Sequence, residues 1–106
     1  MVGVKPETIE RHGAVSSHVA REMAAGGRRV LAVDICLSDT GVAGPDGGTH
    51  LRPVGLFYIG FSYQGGTFAR ECRFDGERLL NKQSVADEAL RWLDSFLSGS
   101  WTPELP

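Results

Sequence analysis

The sequence predicts a small layered α/β domain with a mixed sheet. Three observations predict it. Two stretches of helical spacing, one around Val19–Val30 and one over Glu77–Leu97, bracket three short runs rich in β-branched and aromatic residues. A long glycine-rich connection, Gly41 to Pro53, joins the first two of those runs. The resulting order of helix, strand, loop, strand, strand, helix is that of a sheet covered by helices. With 106 residues the chain has room for one small core.

The elements follow in order. Pro6 to His12 reads as a short helical turn, opened by a proline at a first helical position and closed by Gly13. Ser16 or Ser17 then offers an N-cap side chain. Val19, Met23, Gly27 and Val30 recur about every four residues, widened by Ala20 and Ala24, so a second helix is expected to fray or end near Arg29, after Gly26-Gly27. Val30 to Ser38 reads as a buried strand and feeds straight into Asp39-Thr40-Gly41 and the glycine loop. Gly55 to Tyr63 is apolar on both faces, as an interior strand is. Gln64-Gly65-Gly66 is a hairpin signal, and Thr67 to Phe74 returns as a more polar antiparallel partner nearer the sheet edge. Val85, Ala89, Leu93 and Phe96 share one face of the last helix, where Asp87 and Arg91 have the spacing of a favourable ion pair. The domain is expected over 1–98, with 99–106 as a flexible tail.

Composition excludes several classes. Eleven Lys+Arg against 13 Asp+Glu leave no basic footprint for nucleic acid. No apolar run is long enough to span a membrane, and the first residues lack a signal-peptide layout, so a cytoplasmic location is expected. Cys36 and Cys72 form no CxxC motif and read as buried thiols. His12, His18 and His50 have no paired spacing, so no metal is expected.

Glycine is the informative residue. There are 14, eight of them between Gly41 and Gly66, and consecutive amides in such a loop can cradle an anion. The loop is neither a Walker A motif nor GxGxxG; an ordered structural loop is the plainer alternative. Thr40 at its start could hydrogen-bond a substrate, or simply the loop backbone. Asp39 could serve as a base, or bond turn amides. Arg78 stands near a helix start, where it could reach a ligand phosphate or remain solvated.

These residues resemble a known family. Thr40-Gly41-Val42-Ala43-Gly44-Pro45-Asp46-Gly47-Gly48-Thr49, followed by Arg52-Pro53-Val54-Gly55, is similar to the TGIAGPxGG…KPVG signature of the CinA C-terminal domain. Gly3-Val4 with Thr8-Ile9 and His12-Gly13-Ala14-Val15-Ser16 resembles its GV…TL…HGAVS. Val19-Ala20-Arg21-Glu22-Met23-Ala24 and Gly26 resembles its VAxEMAxG, and Phe74-Asp75-Gly76-Glu77-Arg78 its FxGDR. The resemblance runs from about Val2 to Leu97.

The family includes the nicotinamide mononucleotide (NMN) deamidases, or nicotinamide-nucleotide amidases. The resemblance implies a three-layer α/β/α domain with a mixed sheet, often oligomeric, that hydrolyses the carboxamide of NMN without a metal or other cofactor. In that family a serine in an AESCTGG motif attacks the amide, and a lysine just after YSN is its base. Neither motif is in this sequence. By analogy Thr40 is the one residue of the catalytic wall carried over, and the loop at Gly41, Ala43, Gly44, Gly47 and Gly48, with Arg78, would hold the substrate. Asp39, Asn81 and Lys82 depart from the family pattern and read as relaxed constraints.

The expectation is a CinA-type amidase domain lacking the first strands of the family fold and inactive alone. Two alternatives stand beside it. One is a non-catalytic nucleotide-binding or assembly module, as a homo-oligomer or with a complementing chain. The other is a mis-started fragment of a complete deamidase. A sheet short on one side predicts an exposed apolar edge.

Overall fold

A computed structural model describes residues 3–44, 47–49 and 52–100. Its elements are α1 (Pro6–His12), α2 (Ser17–Leu31), β1 (Cys36–Gly41), β2 (Leu56–Tyr63), β3 (Gly66–Arg73) and α3 (Arg78–Leu97). The three strands form one sheet in the order β1-β2-β3. Both pairings are antiparallel, with Asp39 opposite Ile59 and Ile59 opposite Arg70. The expected mixed sheet is therefore corrected for the described residues. A parallel pair needs a crossover, and neither connection between these strands contains a helix: β2 returns directly beside β1, and β3 beside β2.

Alternation along the strands assigns the two faces. Toward α2 point Ser38, whose hydroxyl donates to the Ala20 carbonyl at 2.6 Å, and Gly60, where a Cβ would run into that same carbonyl. The small fully buried residues Val19, Ala20 and Ala24 let α2 lie close on this face. Toward α3 point Phe57, Ile59 and Phe61, which form the core with Val85 and Trp92. Phe61 touches the rings of Trp92 (5.2 Å between centroids) and Phe96 (5.3 Å). The Arg70 guanidinium lies 4.5 Å over the Trp92 ring and pairs with Glu88 at 3.2 Å. The result is the three-layer α/β/α arrangement, with the core between β2 and α3.

Helix ends follow local chemistry. α1 begins at Pro6 and closes on Gly13 (φ 81°). Ser16 is the N-cap of α2, its hydroxyl accepting the Val19 N–H at 3.2 Å. α2 does not fray at Gly26-Gly27 but runs on to Leu31, where Ala32 (φ 54°) ends it. These glycines are packing points rather than breaks. Gly26 lies against Gly3, and Gly27 leaves room for the Cys36 sulfur. The strand expected from Val30 consequently starts at Cys36; Val30 is 65% exposed and Val33 41%. Cys36 and Cys72 are half-buried rather than buried.

In α3 the expected face is the packed one, but Trp92 (1% exposed) is its anchor. Arg91 pairs with Glu88 at 3.7 Å instead of Asp87. Of the expected tail, Gly99 and Ser100 fold back, with the Ser100 N–H donating to the Ser95 carbonyl at 2.9 Å; 101–106 lie outside the described residues. No described helix is long and apolar enough to cross a membrane.

Candidate functional site

The connection from β1 to β2 is tied at its neck. The Val42 N–H donates to the Leu56 carbonyl at 2.9 Å and the Gly55 N–H to the Val42 carbonyl at 2.6 Å. These bonds continue the β1–β2 ladder and aim the glycine loop at the start of α3. Gly44 adopts φ 99° there, a conformation that favours glycine. Of the loop's other members, Pro45, Asp46, His50 and Leu51 lie outside the described residues.

One residue unites the loop with the helix. Asn81 is fully buried. Its Nδ2 donates to the Ala43 carbonyl at 3.0 Å, and its Oδ1 accepts the Gly76 N–H at 3.0 Å. The sequence reading of Asn81 as a relaxed position is corrected: a buried amide with both ends bonded is a fastener. Arg78 adds a second tie, its Nη1 donating to the Gly44 carbonyl at 3.1 Å.

Between loop and helix lies a cleft of about 790 Å³, within the usual range of ligand pockets. Ala43, Gly44, Gly76, Glu77, Arg78 and Lys82 shape it. A smaller cleft of about 400 Å³ adjoins it, sharing Ala43, Arg78 and Lys82 and adding Asp39 and Gly41. Two cations therefore meet at the amino-terminal end of α3, where the helix dipole adds positive potential. Arg78 and Lys82 can hold an anionic group there, with Glu77 and Asp39 as the carboxylates of the two clefts, beside an apolar surface of Val54 and Leu79. Among the described residues, neither cleft is lined by a hydroxyl or thiol side chain.

The structure brings Gly41, Ala43, Gly44 and Arg78 together on the α3 face of the sheet. It does not bring the Thr40 hydroxyl to them. Thr40 points to the other face, where its Oγ1 donates to the Ala14 carbonyl at 2.8 Å and steadies the turn between α1 and α2. Gly47 and Gly48 are exposed on the return limb of the loop, Gly48 lying against Val54. Among the described residues no group of three His, Cys, Asp or Glu side chains is placed to hold a metal.

Residues that the motif reading set aside as departures from the family pattern matter most here. Lys82 and Asp39 stand in the cleft. Asn81 had a legible signal: an amide in phase with Val85 and Ala89 on an otherwise apolar helix face.

This α/β/α layer is shared with a known family. The profile of the CinA C-terminal domain matches residues 1–97, and the chain belongs to that family. A CinA-like protein of Geobacter sp. (strain M21) is 44% identical over 97 residues, which is 92% of this chain and 23% of that protein. The crystal structure of competence/damage inducible protein CihA from Agrobacterium tumefaciens matches with a TM-score of 0.84 at 33% identity, over 90% of this chain and 59% of that one. The competence damage-inducible protein A (ComA) of Klebsiella pneumoniae subsp. pneumoniae MGH 78578 matches with a TM-score of 0.86 at 29% identity, over 92% and 60%. The chain thus spans about a fifth of the length of the curated relatives it matches and about three fifths of the solved ones.

Proposed function

We propose that this chain forms the substrate-holding wall of a nicotinamide-nucleotide amidase site of the CinA type and does not hydrolyse the amide by itself. The observation that carries the reading is the cleft between the glycine loop and α3, where Arg78 and Lys82 stand with Glu77 beside an apolar surface. Arg78 and Lys82 would meet the phosphate of NMN, and the apolar surface of Val54 and Leu79 would take its ring. With no hydroxyl or thiol among the described residues of the cleft wall, the chain supplies binding and orientation, while the nucleophile and its base come from elsewhere. Thr40 acts in this reading through the turn it steadies.

The test is a pair of measurements on the 106-residue protein. NMN should raise its melting temperature, as a ligand of the folded state does, and Arg78→Ala with Lys82→Ala should abolish the rise. Ammonia release from NMN should stay at background. No thermal shift would overturn the substrate wall, and ammonia release above background would overturn the inactivity.

A second reading is an assembly module. It is favoured by β1, which like β3 has a strand neighbour on one side only among the described residues, and by Leu79, Leu90 and Leu97, each more than 60% exposed along α3. An unpaired edge next to an apolar helix face invites another strand, from a second copy or a complementing chain. Sedimentation of the purified chain separates these: a monomer at micromolar concentration leaves the complementing chain, and a dimer leaves the second copy.

A further inference from the structure

A second cavity, of about 380 Å³, opens on the α2 face of the sheet. Arg11 and His12 at the end of α1, Ser17 and His18 at the start of α2, Arg52 of the β1–β2 connection and Tyr58 of β2 line it. His12, Val15 and Ser16 belong to a motif that the cleft at Arg78 leaves unused, and Arg52 opens the Arg52–Gly55 motif.

The cavity is lined by positive charge. Among the described residues no carboxylate lines it, and two that stand near it are hydrogen-bonded. Glu22 accepts from the Thr8 hydroxyl at 2.6 Å and the Lys5 N–H at 2.9 Å. Glu71 accepts from the Tyr58 hydroxyl at 3.0 Å and pairs with Arg73 at 3.4 Å. In a chain of net charge −2, Arg11 and Arg52 with two imidazoles are a local excess of the opposite sign.

The geometry is set in advance. Arg52 Nε donates to the Val15 carbonyl at 2.8 Å, and Nη2 donates to the His12 carbonyl. These bonds use two of its five donors and hold the planar fork in place. The His12 and His18 rings stack face to face, 3.6 Å between centroids and 7° from parallel. Two imidazolium rings so placed repel each other unless an anion lies beside them. Burial, His12 and Arg21 together hold His18 below its ordinary range, with Glu22 pulling the other way.

We propose that this cavity binds a phosphate group, gripped by Arg11 and Arg52 and by His12 and His18 in their protonated form. Phosphate fits better than a carboxylate. Its several oxygens can meet an arginine fork and two ring N–H donors at once, and it carries between one and two negative charges near neutral pH. The volume admits the bare ion or a small phosphate monoester. Binding is then linked to protonation: the anion raises the affinity of both rings for protons, and lower pH strengthens binding.

The experiment is a titration of the histidine ring protons by NMR, at constant ionic strength, with inorganic phosphate in one series and glycerol phosphate in another. The expected result is a saturable shift of the His12 and His18 resonances, a rise in their apparent pKa, and tighter binding at pH 6 than at pH 7.5. Arg11→Gln should weaken binding by about tenfold, the scale of one charge-assisted contact. Arg91→Gln, on α3 away from the cavity, should leave it unchanged. Arg11 and His18 are exposed, so their variants test the site without removing core contacts, and a thermal melt confirms the fold. Tighter binding of glycerol phosphate assigns the site to a phosphate carried on a small molecule; binding of inorganic phosphate alone assigns it to the free ion. Shifts that never saturate, or equal affinity in Arg11→Gln and Arg91→Gln, overturn the proposal.

Discussion

Replacing Asn81 by alanine isolates the joint between the glycine loop and α3. The substitution removes two hydrogen bonds, to the Ala43 carbonyl and from the Gly76 N–H. A hydrogen bond is worth about 1 kcal/mol net, and a buried group left unpaired costs about 1–3 kcal/mol. Gly76 is exposed and can turn to water, while the half-buried Ala43 carbonyl is the group at risk. The expected loss is about 2–3 kcal/mol. For a domain near 100 residues that lowers Tm by roughly 8–20 °C. Urea unfolding followed by circular dichroism measures it. Asn81→Asp gives an independent check, since it puts a carboxylate oxygen against the Ala43 carbonyl. Burial there raises the new acid above its ordinary pKa of about 3.9. Its stability is then greatest below that pH and declines as pH rises through the folded value. A loss under about 0.5 kcal/mol for Asn81→Ala, together with an Asn81→Asp protein that shows no such decline, would refute the reasoning.

Three further outcomes follow from the same structure. Burial alone would raise the Glu22 carboxyl, but the bonds from Thr8 and the Lys5 N–H outweigh it and hold it below 4.5. Its contribution to stability is therefore full above pH 4.5 and lost as pH falls through the folded value, so the gap between wild type and Glu22→Gln should close on acidification. Thr40→Val should reduce stability by about 1 kcal/mol through loss of the bond to the Ala14 carbonyl, while any NMN-induced thermal shift persists; loss of the shift without loss of stability would return Thr40 to the binding wall. Trp92→Ala empties the centre of the core and should remove about 3–5 kcal/mol, much of the total stability of a small domain, as a cooperative melt will report.

Much of the fold was legible because period and punctuation are local properties. Pro6, Gly13 and Ser16 mark helix ends by backbone geometry and capping that act over three or four residues. The two-residue turn before Gly66 and the apolar run of β2 specify a hairpin in the same way. The boundary between α2 and β1 was misread because Gly26 and Gly27 carry two meanings. As isolated residues they weaken a helix; here they are contact points, and only the partners Gly3 and Cys36 reveal that. The sheet's antiparallel order was likewise undecided until the β1–β2 connection was seen to contain no crossover.

The candidate site divides along the same line. Motif order alone marked the glycine loop and Arg78, because a backbone that needs positive φ leaves glycines in the sequence. Strand alternation then decided what the motif could not: it turns Thr40 to one face and leaves Arg78 on the other. Asn81 and the His12–His18 stack arise from contacts between segments 38 and six residues apart. The sequence by itself determined the elements, the family and the loop. The tertiary structure alone decided which side chains share a cavity, because burial and charge are set by neighbours in space.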